Sequence, residues 1–92
     1  MSQSFESVWD AIEDNPVQAA NMKLRSALMI ALKDCIAAKG LSQAQAAKLL
    51  GVTQPRISDL LRGKITLFSI DTLINMLTTA GLHVELQIAQ VA

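Results

Sequence analysis

Tyrosine is absent from the 92 residues, aromatic side chains make up 3%, and cysteine and histidine occur once each. A single cysteine, Cys35, can close no internal disulfide, which fits a reducing intracellular compartment. His83 has no Asp or Cys neighbours at ligand spacing, so no metal site is expected and no cofactor is called for. The chain also lacks a GxSxG turn, a Gly-rich phosphate loop and any pairing of carboxylates suited to acid–base work. An enzyme is therefore not expected. The longest strictly apolar run, ALMIAL at 27–32, is too short to cross a bilayer. The opening MSQSFESVWDAIED has neither the positive start nor the apolar core of a signal peptide. A cytoplasmic location with no membrane partner is the expectation.

An excess of either charge is missing too, since eight basic residues balance eight acidic ones. Their distribution is uneven. Residues 1–15 carry Glu6, Asp10, Glu13 and Asp14 and no cation, whereas 39–64 carry Lys39, Lys48, Arg56, Arg62 and Lys64 against Asp59 alone. Polarity along the chain, rather than the zero total, bears on partners, and the basic stretch is compatible with nucleic acid. The chain is 51% hydrophobic, a high share for one small domain with a modest core, so a second copy is expected to cover part of that surface.

Phe5, Val8, Trp9 and Ile12 recur at helical spacing and predict a short amphipathic helix within an acidic segment, 1–15, which can alternatively be a mobile arm. Asn15-Pro16 is an N-cap followed by N1 proline, opening a long helix that ends at Gly40 and whose apolar stripe is Leu24, Leu28, Leu32, Cys35 and Ile36. Ser42 with Gln45 has capping-box spacing for a helix running to Leu50. Thr53 caps the next, with Pro55 in its first turn and an end near Arg62-Gly63. Ser69 caps a last helix ending at Ala80-Gly81, with Phe68 stapled onto Leu73. From Leu82 the period changes. Leu82, Val84, Leu86 and Ile88 alternate with polar residues, a strand pattern without a partner in its own chain. Such an edge is a liability unless it pairs with the same strand of another copy, so a symmetric homodimer is expected. The expected fold is mainly α: five helices, with one C-terminal strand pairing across the dimer. The units are 1–15, a helical domain over 16–81, and a dimerisation strand and tail over 82–92.

Residues 43–62, QAQAAKLLGVTQPRISDLLR, fit two short helices crossing around a tight turn. Ala47 supplies the small contact and Gly51 the positive φ, while Ala46, Leu50, Val52, Ile57 and Leu60 point inward. With these residues in place, the chain resembles the repressor-like (XRE-type) helix-turn-helix family over about 22–80. The segments SFESVWDAIED, NMKLRSALMIAL, LLGVTQPRISDLLRGK, FSIDTL and GLHVEL also resemble the HigA-like antitoxin branch. That resemblance implies a dimeric repressor of its own operator, often encoded beside an RNA-cleaving toxin that it neutralises.

In a helix-turn-helix unit the second helix lies in the major groove with its first residues at the base edges. Gln54 can bond bidentately to adenine, and Arg56 can fork onto guanine or hold a phosphate. Pro55 offers apolar contact to a thymine methyl, and Ser58 and Asp59 lie further along the same helix. Gln43 and Thr53, at helix N-termini, and the cations Lys48, Arg62 and Lys64 are the expected backbone contacts. Plainer readings stand beside these: Arg56 and Asp59 can pair with each other at i, i+3, the three cations can be solvated charges, and Cys35 can be an inert core thiol. Double-stranded DNA and a second copy are thus the expected partners, with a toxin implied by resemblance. A protein-binding module, gripping a basic partner through 1–15 or contacting polymerase through a helix-turn-helix scaffold, is the alternative.

Overall fold

The computed structural model describes residues 15–91, and the helix expected over 5–13 lies outside them. Four α-helices follow in order among the described residues: α1 (Pro16–Ala38), α2 (Gln43–Leu50), α3 (Gln54–Leu61) and α4 (Ile70–Thr79), with a single 3₁₀ turn at Ile65–Leu67 before α4.

Local sequence accounts for most of the helix ends. The Asn15 side chain accepts from the Gln18 N–H at 3.2 Å, and Pro16 begins α1 where its missing donor leaves no bond unmade. Ser42 and Gln45 form a complete capping box on α2, with bonds of 3.1 and 2.9 Å that satisfy two end donors reciprocally. Ser69 caps α4 by accepting from the Thr72 N–H at 3.1 Å. Thr53 occupies the N-cap position of α3, yet its side chain makes no capping bond. That corrects the expectation of a hydroxyl cap and leaves the first N–H groups of α3 without a side-chain partner. Gly51 turns the chain between α2 and α3 at φ +71°, where an L side chain is strained.

The core gathers residues from every helix. Leu28, Met29, Leu32 and Ile36 of α1 pack with Ala46, Ala47 and Leu50 of α2, Ile57 and Leu60 of α3, Phe68, and Leu73, Met76 and Leu77 of α4. Phe68, Leu32, Ile57, Leu60, Leu73 and Met76 are the largest side chains closed off from solvent. The inward positions expected of the turn unit are buried, with Val52 half-buried at its margin. On α1 the stripe is rotated from the expected one: Leu24 is 40% exposed and Cys35 half-buried, and the covered face runs through Arg25, Leu28, Met29, Leu32 and Ile36. The spacing i, i+3, i+4, i+7, i+11 is as regular as the predicted one, but it begins with a charged residue.

After α4 the chain turns at Gly81, where the N–H groups of Gly81 and Leu82 close back onto Thr78 and Leu77 at 3.0 and 2.9 Å in a Schellman arrangement. Residues 82–91 then form no strand. The expected ladder needs a neighbouring strand, and the single chain supplies none among its described residues. Val84 packs against the core, whereas Leu86 and Ile88 are 75% and 84% exposed, so the four alternating apolar residues do not share one covered face. No helix among the described residues is long and apolar enough to cross a membrane.

Candidate nucleic-acid interface

α2 and α3 pack on each other through Ala46, Ala47, Leu50, Ile57 and Leu60, and this fixes which edge of α3 faces out. With about 3.6 residues per turn, burying Ile57 and Leu60 turns Pro55, Ser58, Asp59 and Arg62 outward. Gln54 and Arg56 then flank that face on opposite sides. Gln54, Pro55 and Arg62 are exposed, and Ser58 and Asp59 half-buried. Gln43, at the start of α2, meets Gln54, Pro55 and Ser58 around one open, shallow cleft, so the N-termini of the two helices present their polar side chains together. Lys48 and Thr53 are exposed nearby in sequence.

Three expected contact residues, Asp59, Lys64 and Arg56, are engaged within the chain. Asp59 pairs with Lys64 at 3.5 Å, and the Lys64 N–H also donates to the Asp59 carbonyl at 3.1 Å as the chain leaves α3. Arg56 does not pair with Asp59. Its guanidinium carbon lies 4.5 Å from the centroid of the fully buried Phe68 ring, on the side of α3 that faces the start of α4. A guanidinium over a ring face gains cation–π attraction and loses rotational freedom. Arg56 is therefore half-buried at the margin rather than at the centre of the outward face.

One buried-side contact behind Arg56 has no counterpart in the sequence pattern. Arg25 of α1 reaches across to the turn before α4, its Nη1 donating to the carbonyls of Ile65 and Phe68 at 3.4 and 3.5 Å and its Nη2 to the Met22 sulfur at 3.2 Å. The available signal is its place on the covered stripe of α1, three and four residues before Leu28 and Met29. No group of metal-ligating side chains occurs among the described residues.

The fold and this edge define a helix-turn-helix protein whose second helix is presented by the first. A family model described as a helix-turn-helix domain matches residues 11–89. A solved structure that carries the designation of an XRE family transcriptional regulator is similar at 34% identity with a TM-score of 0.74, covering 79% of this chain and 82% of that one. No curated protein matches the chain. The chain belongs to the XRE-like helix-turn-helix family of DNA-binding transcriptional regulators.

Proposed function

We propose that the protein is a sequence-specific regulator that binds a palindromic operator as a homodimer and represses its own gene. What carries the proposal is the exposed edge on which Gln54, Pro55 and Ser58 at the start of α3 stand beside Gln43 at the start of α2. On this reading α3 enters the major groove, Gln54 bonds adenine through N6 and N7, Pro55 packs on a thymine methyl, and Ser58 reaches a following base pair, while Asp59 stays paired with Lys64 and reads no base. Gln43 and the uncapped start of α3 at Thr53 take phosphates, joined by Lys48 and Arg62, while Lys64 is held by Asp59. Arg56 belongs with the phosphate contacts, because its guanidinium lies against Phe68 at the edge of the outward face.

Leu82, Leu86 and Ile88 favour the homodimer, being apolar, exposed and alternating beyond the last helix, with Val84 anchored to the core at the start of the segment. Paired with its copy, 82–88 gains a ladder and covers that surface. The antitoxin role rests on the family resemblance of the segments from SFESVWDAIED to GLHVEL given above, and its test is copurification with a small basic protein encoded in an adjacent reading frame.

The test of operator binding is a titration against the DNA upstream of the coding region at two salt concentrations, with scrambled duplex as competitor. Binding that survives the competitor and weakens steeply with salt is expected. Equal displacement by scrambled DNA would contradict sequence-specific repression.

A further inference from the structure

Phe68 lies between two arginines. Arg56 stacks on its ring at 4.5 Å, and Arg25 donates to its carbonyl at 3.5 Å and to that of Ile65 at 3.4 Å. Neither guanidinium has a carboxylate within 4.0 Å among the described residues. Asp59, the nearest acidic residue to Arg56 in sequence, is taken by Lys64, and Asp71 lines the same cleft as Arg25 without pairing to it.

As a stabiliser of the fold alone, Arg25 is a poor choice. Its Nε is enclosed without a hydrogen-bond partner, a desolvation penalty that an aliphatic side chain on the same stripe would not carry. What the guanidinium adds is its Nη1, which donates to the carbonyls at both ends of the turn from Ile65 to Phe68 and so ties that turn to α1. This turn sets where the Phe68 ring stands, and the ring sets where Arg56 can lie. A side chain held in place loses less conformational entropy when it engages a partner.

We propose that Arg25 is a positioning residue for DNA binding: it fixes the Ile65–Phe68 turn so that the Phe68 ring holds the Arg56 guanidinium at the edge of α3, preset for a backbone phosphate. The inference rests on the DNA-binding reading above and assigns Arg25 no contact with DNA.

The salt dependence of binding tests it, because an unfolded fraction that circular dichroism shows to be the same at every salt concentration lowers K without changing the slope of log K against log salt. The probe is the duplex that the native protein enriches from a randomised 20-bp library, titrated from low to moderate salt. Arg56→Ala is expected to flatten the slope by about one phosphate equivalent per protomer. Arg25→Ala and Arg25→Met are expected to reproduce most of that loss, the methionine because it fills the stripe but donates to neither carbonyl. Arg25→Ala combined with Arg56→Ala should flatten the slope no further than Arg56→Ala alone. A native slope in Arg25→Ala would overturn the inference and reduce Arg25 to a packing residue. Recovery of the native slope by Arg25→Met would also overturn it, leaving only the packing. If the native protein enriches no duplex, the DNA-binding reading itself fails, a result distinct from either.

Discussion

Asp59 and Lys64 meet at 3.5 Å across the end of α3, so the one acidic residue on the outward face of that helix is held by a cation. The two side chains are 29% and 46% exposed, where an ion pair contributes about 0–1 kcal/mol to stability. Asp59→Asn removes a charge that repels DNA and releases Lys64. Binding should tighten on all sequences, most at low salt, with melting almost unchanged; anisotropy titrations at two salt concentrations check this. Weaker binding confined to one base position would mean that Asp59 reads a base.

Gln54 stands exposed at the first position of α3, beside Gln43. Gln54→Ala should relax discrimination at one base-pair position of each half-site by about 1–3 kcal/mol while leaving the salt slope intact. A set of singly substituted duplexes measures it. Uniform loss across the set would place Gln54 on the backbone.

Gly51 has φ +71°, and a Cβ built there would meet only Thr79 Cγ2, at an ordinary 3.8 Å. Strain, not collision, therefore sets the penalty. Gly51→Ala should destabilise the domain by about 1–2 kcal/mol in urea unfolding, with little change in affinity per folded molecule.

Leu86 and Ile88 make little contact with their own chain, at 75% and 84% exposure. Replacing both with Asp should leave the far-ultraviolet spectrum intact while shifting sedimentation from dimer to monomer. Operator affinity should fall with it, because each half-site is then bound separately. A native sedimentation coefficient would move the dimer contact to another surface.

Features set by neighbouring residues were the most legible from sequence. The Ser42–Gln45 capping box, the Ser69 cap and the Gly51 turn each depend on a few adjacent positions, and all are formed. The inward set from Ala46 to Leu60 followed from the pattern of two short helices crossing around a tight turn. Contacts between distant residues were not legible: Arg25 meets Ile65 and Phe68 across 40 and 43 residues, and the ring under Arg56 belongs to the approach to another helix. The rotation of the α1 stripe away from Leu24 has the same origin, because two equally regular spacings were open and tertiary packing selected the one that begins at Arg25. Thr53 shows that a capping position does not guarantee a capping bond. The tail pattern from Leu82 to Ile88 is a period of two, but a strand exists only with a partner to pair with.

The central claim, that α3 reads bases in the major groove, is tested most directly by replacing adenines with 7-deazaadenine in the duplex that the native protein enriches. The change removes the N7 acceptor from the major groove and leaves Watson–Crick pairing and backbone charge untouched. With Gln54 bonding N6 and N7, one such replacement per half-site should weaken binding roughly tenfold, and the Gln54→Ala protein should not respond to it. Unchanged affinity for every deaza-substituted duplex would contradict major-groove reading by this edge.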